Sequence, residues 1–176
     1  RARVTEARTA RFLGVLGYAP PAVAGEPAQI TGLVEGVETN ILGTGRQARV
    51  RWESGENRTN RVAYREPFLF GRRVALDVEW DAERYQGSRT RSARSSLTWE
   101  LTSRITAEAG VQAVAAEESS GRGGIASLAH DTRDFRPNPS NGALLRVDLD
   151  TVAGDISFTR AVTEASLYLP VGGQHV

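Results

Sequence analysis

The sequence has no cysteine, no methionine and no lysine. Without cysteine there can be no disulfide, no thiolate metal site and no cysteine nucleophile. An all-arginine basic set reads as a coding bias without functional content. With no methionine and Arg1 in first place, neither a natural start nor a signal peptide is visible. The expectation is a processed chain or an internal fragment. An excess of one charge is missing too: 22 basic against 21 acidic residues leave a net +1. No global basic field marks a nucleic-acid partner. Nor is there a run of 18 apolar residues, so no transmembrane helix is expected. A membrane β-barrel stays open, because its strands are individually weak signals.

What is present changes character along the chain. In "TEARTARFLGVLGYAPPAV", Thr5 suits an N-cap, and Ala7, Ala10, Phe12, Leu13 and Leu16 recur near helical spacing. Gly17 sits where a C-cap would, and Pro20-Pro21 forbid continuation. The pattern predicts a short helix over about 5–16 and a linker to about 28. Beyond that the period becomes two. Ala48, Val50 and Trp52 alternate with Gln47, Arg49, Arg51 and Glu53. Val74, Leu76, Val78 and Trp80 alternate with Arg73, Ala75, Asp77, Glu79 and Asp81. Segments around 61–65, 96–102, 105–113, 144–150 and 161–169 repeat the pattern. Turn signals separate them, including Gly71-Arg72, Gln86-Gly87, Ser119 to Gly124, Pro137 to Gly142 and Gly172-Gly173. About seven to eight strands in an antiparallel meander follow.

An alternating meander fits either a soluble sandwich or a membrane barrel. Three features lean toward the barrel. The polar face carries charges of both signs in strand after strand. Trp52, Tyr64, Trp80, Tyr85, Trp99 and Tyr168 fall near strand ends, where an interfacial girdle would hold them. The apolar face is rich in small residues, alanines from 107 to 116 above all, and lipid fills space beside small residues where a sandwich core needs bulk.

Four passages in order carry a resemblance: "NILGTGRQARVRW" (40–52), "YREPFLFGRRVAL" (64–76), "HDTRDFRPNPSNGALLRVDLD" (130–150) and "FTRAVTEASLYLP" (158–170). Together they resemble the bacterial outer-membrane protein assembly and surface-antigen barrels: insertases, translocation-assembly barrels and two-partner-secretion transporters. The motif positions are Asn40, Gly43, Glu66, Pro67, Gly71, Asp131, Arg133, Asp134, Pro139 and Gly142. The resemblance implies an all-β, antiparallel up-and-down transmembrane β-barrel of about 16 strands. Residues 1–28 would end a periplasmic repeat and its linker. Residues 29–176 would form the first seven to eight strands, so that this chain is a fragment of the barrel. A complete eight-stranded barrel is the lesser alternative. "NILGTGR" would open the first barrel strand, and "REPFLFG" would end the second at a membrane interface, with Phe68 and Phe70 as anchors.

The resemblance further implies a non-enzymatic barrel in the outer membrane of a diderm bacterium, without cofactor. It would assemble, insert or translocate other outer-membrane polypeptides by edge-strand templating. Its partners would be the lipid bilayer, client polypeptides and periplasmic or lipoprotein accessory subunits, with no nucleic acid. The client-pairing strand would be Thr44, Gly45, Arg46, Gln47, Ala48, Arg49, Val50, Arg51 and Trp52. Gln47, Arg49 and Arg51 would face the lumen, with Ala48, Val50 and Trp52 facing lipid. A secretion transporter for one dedicated exoprotein is the alternative within the family. A structural or adhesive β-protein, as small barrel or soluble sandwich, is the alternative outside it.

The densest chemical cluster is His130, Asp131, Arg133, Asp134 and Arg136. As a metal or acid–base site it would need those groups on one side. Alternation puts Asp131 and Arg133 on one face and Thr132 and Asp134 on the other. A lumen charge network followed by a turn is the simpler expectation. Glu79, Asp81 and Glu83 likewise read as a solvated acidic face balanced by arginines. His175 stands alone, and no serine occupies a nucleophile elbow.

Overall fold

A computed structural model describes residues 8–21, 28–55 and 57–170. Among these residues the chain forms ten strands: β1 (Ala10–Ala19), β2 (Gln29–Ile41), β3 (Arg46–Ser54), β4 (Arg58–Glu66), β5 (Val74–Tyr85), β6 (Ser88–Glu100), β7 (Ile105–Ala116), β8 (Ser119–Asp131), β9 (Gly142–Gly154) and β10 (Phe158–Tyr168). They make one antiparallel sheet in strict sequence order. Among the described residues the one helical element is a three-residue 3₁₀ turn, Leu69–Gly71.

Two expectations are corrected. The helix over about 5–16 does not form across 10–16; that stretch is strand β1, paired along its length with β2. Residues 5–7 lie outside the described residues. The misreading has a physical cause. Apolar residues occupy both faces of β1, so short-range spacing mimics a helix. Gly17, expected as a C-cap, lies in the ladder opposite Thr31, where a Cβ would meet the threonine Oγ1 at 2.4 Å. Residues 10–19 therefore belong to the sheet rather than to a separate repeat and linker. The described residues form ten strands, above the seven or eight expected. Beyond the seven alternating segments, the additions are β1 and β2, where alternation is blurred, and β8, whose glycine-rich start reads as a turn.

The register fixes two faces. Arg51 pairs with Arg61, which pairs with Asp81, which pairs with Ser92, all on one side. Trp52, Asn60, Ala82 and Arg91 form the next row on the other side. The buried side chains Ala75, Ser96, Ile125 and Val152 all lie on the charged face, which is thus the enclosed one. The apolar face is bare: Val50, Trp52, Val62, Tyr64, Val78, Trp80, Val111, Leu128 and Leu145 are exposed. No second layer covers them among the described residues. The chain exposes 13494 Å², whereas a compact globular chain of 19.0 kDa would expose about 8,400 Å². A soluble sandwich buries its apolar face against a second sheet; this sheet turns that face outward and encloses its charges.

Candidate functional site

Three structural features could do chemistry or binding: the sheet edge, the enclosed charged face and the turns at one strand end. Among the described residues β1 pairs only with β2, and β10 only with β9. Along β1 the outward side chains Phe12, Leu16 and Tyr18 are strongly exposed, at 78%, 83% and 69%. Its far side carries N–H and C=O groups with no ladder partner among the described residues. In an apolar medium each such group costs several kcal/mol, roughly, until paired.

The strand expected to lead the barrel is not at that edge. Thr44 and Gly45 lie in a turn, and Arg46–Ser54 is the third strand, hydrogen-bonded to β2 on one side and β4 on the other. Within it the side chains part by face. Gln47, Arg49 and Arg51 lie on the enclosed face, and Val50 and Trp52 are exposed on the other. Gly43 and Gly45 belong to the "NILGTGR" segment expected to open the first strand. Both have φ of 75° and build the tight β2–β3 turn instead.

On the enclosed face, charges meet across strands. Arg51 lies 3.6 Å from Glu35 and 2.9 Å from Glu53. Arg61 Nε donates to Asp81, with Glu79 at 3.4 Å. Arg65 lies 3.0 Å from Asp77, and Arg94 lies 3.5 Å from Glu108. The acids Glu79, Asp81 and Glu83 thus sit among arginines, as a charge-balanced wall. A longer relay crosses four strands. Gln112 Nε2 on β7 donates to Asp150 on β9 and, at 3.2 Å, to the carbonyl of Thr151. Asp150 also accepts from Arg160 on β10 at 2.8 Å. The intervening strand, β8, presents Gly123 opposite Gln112. A Cβ there would lie 1.6 Å from the Thr151 carbonyl oxygen. The glycine is required by this close crossing. Gly121, Gly123 and Gly124, expected at a hairpin tip, therefore sit inside β8; the actual turn is at Glu117, whose φ is 53°.

The motif positions all fall at one end of the sheet. Asn40 accepts from the Gly45 amide through Oδ1 at 2.7 Å and closes the β2–β3 turn. A Cβ on Gly45 would meet the Pro67 ring at 3.4 Å, so consecutive turns touch. Arg46 Nε donates to Glu66 at 2.5 Å. Gly71 has φ of 70°, and Phe68 and Phe70 project from this turn, exposed. In the β8–β9 turn, Arg133 grips Asp131 through Nε and Nη2, each at 2.9 Å, while Arg136 reaches the same carboxylate at 3.1 Å. The Asp131 carboxylate holds the Arg133 guanidinium above its usual range. Asp134 accepts from the Ser140 hydroxyl and from the amides of Phe135, Ser140 and Asn141. Those donors, the Ser140 hydroxyl first, hold Asp134 well below the usual carboxylate range. Gly142 has φ of 110° beside the Thr132 carbonyl. His130 lies in an outer-face row with Ile105 and Leu145, away from Asp131. The cluster is a turn clamp whose charges are already engaged. His175 lies outside the described residues.

Sequence reasoning missed Gln112, Asp150 and Arg160 as one group, since 38 residues separate the first two. Gly123 was the only available signal, a glycine in an otherwise alternating strand. No protein-family model matches the sequence, and no curated protein matches it. Among solved structures the chain is similar to BamA from Haemophilus ducreyi, crystallised lacking POTRA domains 1-3. The TM-score is 0.64 at 13% identity, covering 95% of this chain and 38% of that one. The chain thus shares the all-β, up-and-down fold of that structure and covers well under half of its length.

Proposed function

We propose that this chain is part of an outer-membrane β-barrel of a diderm bacterium that assembles, inserts or translocates other outer-membrane polypeptides, acting without enzymatic chemistry or cofactor. The observation that carries this reading is a sheet with its apolar face outward and its charges enclosed, in a fold shared with BamA. The client-pairing edge is β1, in place of the strand at 44–52. Its unpaired backbone accepts an incoming strand by β-augmentation, and the exposed Phe12, Leu16 and Tyr18 meet that strand's apolar face. The driving force is the demand that every backbone polar group in lipid be paired. The arginines and acids of the enclosed face keep a wet lumen beside the pairing site. Client polypeptides and the bilayer are the partners, with accessory periplasmic or lipoprotein subunits.

These 176 residues hold no cysteine, so any cysteine elsewhere in the full-length protein is replaced first. Cysteines placed singly at Leu16 and at Val50 in the full-length protein are probed against a cysteine series along a client's terminal strand. Cross-links at Leu16 with a two-residue period, and none at Val50, are expected. Equal cross-linking at both positions, or no periodicity, rejects β1 as the pairing edge. Purified protein that stays folded and monodisperse without detergent rejects the membrane reading altogether.

A further inference from the structure

We infer that the outward face carries, at the end opposite the motif turns, a binding site for phosphorylated lipid headgroups built from Arg58, Arg84, Arg89 and Arg91. This rests on the membrane-barrel reading and adds a ligand to a surface that reading leaves unassigned. Arg58 pairs directly with Arg84, and Arg84 directly with Arg89. Three guanidinium side chains therefore stand in one row across β4, β5 and β6, with Cβ atoms about 5 Å apart. Arg91 lies in the adjoining row, opposite Ala82. The four border one shallow hollow.

Like charges directly opposite each other destabilise a sheet, and elsewhere this protein offsets them with acids: Arg51 faces Arg61, but Glu35 and Glu53 lie beside the first and Glu79 and Asp81 beside the second. Arg61 has Asp81, Arg65 has Asp77 and Arg160 has Asp150. On the same outward face at the other strand end, Arg46 has Glu66 at 2.5 Å. Among the described residues no carboxylate lies within ion-pair distance of Arg58, Arg84, Arg89 or Arg91. Glu83 borders the hollow from the enclosed face without pairing to them. An external anion resolves the repulsion, and the position selects which one. The row begins where the lipid-facing band ends: Trp52 shares a row with Arg91 through Asn60 and Ala82, and Trp80 lies two outward positions before Arg84. Tryptophans mark the headgroup level. Guanidinium forks beside that level match phosphate oxygens in bidentate geometry.

The test uses the full-length protein in nonionic detergent micelles doped with bisphosphorylated lipid A or with its dephosphorylated form. Bound lipid is counted by native mass spectrometry, and folding is checked by heat-modifiable gel migration. Wild type retains the phosphorylated lipid at least about tenfold better than the dephosphorylated one. R58Q/R84Q/R89Q loses that preference, while R72Q/R73Q, at the opposite end, keeps it. The single R89Q, at the hairpin tip, loses about a threefold part of it and serves if the triple variant does not fold. Equal retention of both lipids by wild type, or an R89Q variant and a folded triple variant that both keep the preference, overturns the inference and leaves the barrel reading standing. Displacement of the lipid from wild type by millimolar inorganic phosphate also overturns it, making the site one for free phosphate. Protein that needs no detergent removes the barrel reading and this inference together.

Discussion

The two faces of the sheet are built from the same alternating strands and solve opposite problems. On the enclosed face charges meet partners within a few ångströms, across neighbouring strands and, through Gln112, over an intervening one. On the outer face apolar side chains stand exposed, with charge only toward the strand ends in β3 to β6. In water the second face would be the unstable one. In lipid it is the stable one, because hydrocarbon gains nothing by hiding it and penalises any charge placed there. The difference teaches that one alternating pattern yields an apolar face left bare and a charged face whose ion pairs keep it from repelling itself.

The comparison breaks most severely if a charge is put on the wrong face. Val78→Arg, in the middle of β5, should destabilise the folded barrel by about 2–4 kcal/mol near the bilayer midplane. Urea titration of the protein in lipid vesicles reads this directly. The neighbour in sequence, Asp77, faces the other way. Asp77→Asn removes one half-exposed ion pair with Arg65 and should cost about 1 kcal/mol or less. Equal losses from the two variants would abolish the assignment of faces.

Glycines sharpen the same contrast at a somewhat smaller scale. Gly123→Ala on the enclosed face drives a Cβ against the Thr151 carbonyl oxygen and should cost about 1–3 kcal/mol through forced backbone movement. It should also free Asp150 from Gln112, detectable as loss of protection at the Thr151 and Val152 amides in hydrogen exchange. Gly36→Ala, on the outer face of β2, meets nothing within 4 Å. It should be neutral or slightly stabilising, through a less flexible unfolded chain.

The strands β3 to β7, β9 and β10 are legible because their two faces differ in chemistry, so a period of two is unmistakable. In β1 and β2 they do not differ enough. Leu13 and Val15 lie on the side continuous with the charged face, as do Leu33 and Val37, opposite the outward Phe12, Leu16 and Val34. Period alone then cannot separate strand from helix. The order of strands was lost with them, and the strand at 46–54 was taken for an edge when it is interior. The turns were readable from Gly71, Gly87 and Gly142, whose positive φ only glycine adopts freely. What each turn grips was not. Pairings such as Arg46 with Glu66 or Gln112 with Asp150 exist only once the register is set. The arginine row at 58, 84 and 89 is invisible in one dimension for the same reason.

The smallest expected effect lies at the turn that looked most like an active site. Asp134 gathers the amides of Phe135, Ser140 and Asn141 and the Ser140 hydroxyl, and these donors favour its ionised form. A carboxylate depressed in the folded state contributes stability above its unfolded pKa, about 3.9, and loses it as pH falls through the lower folded value. The turn should therefore stay closed at pH 5 and loosen only in stronger acid. Hydrogen exchange at those three amides measures this. Asp134→Ala should exchange at least about tenfold faster there at neutral pH, with Gln112 and the rest of the enclosed face unchanged. The variant should assemble clients as wild type does. Loss of client assembly in Asp134→Ala, with the fold intact, would make this turn a contact site and give the motif end a role beyond closing the chain.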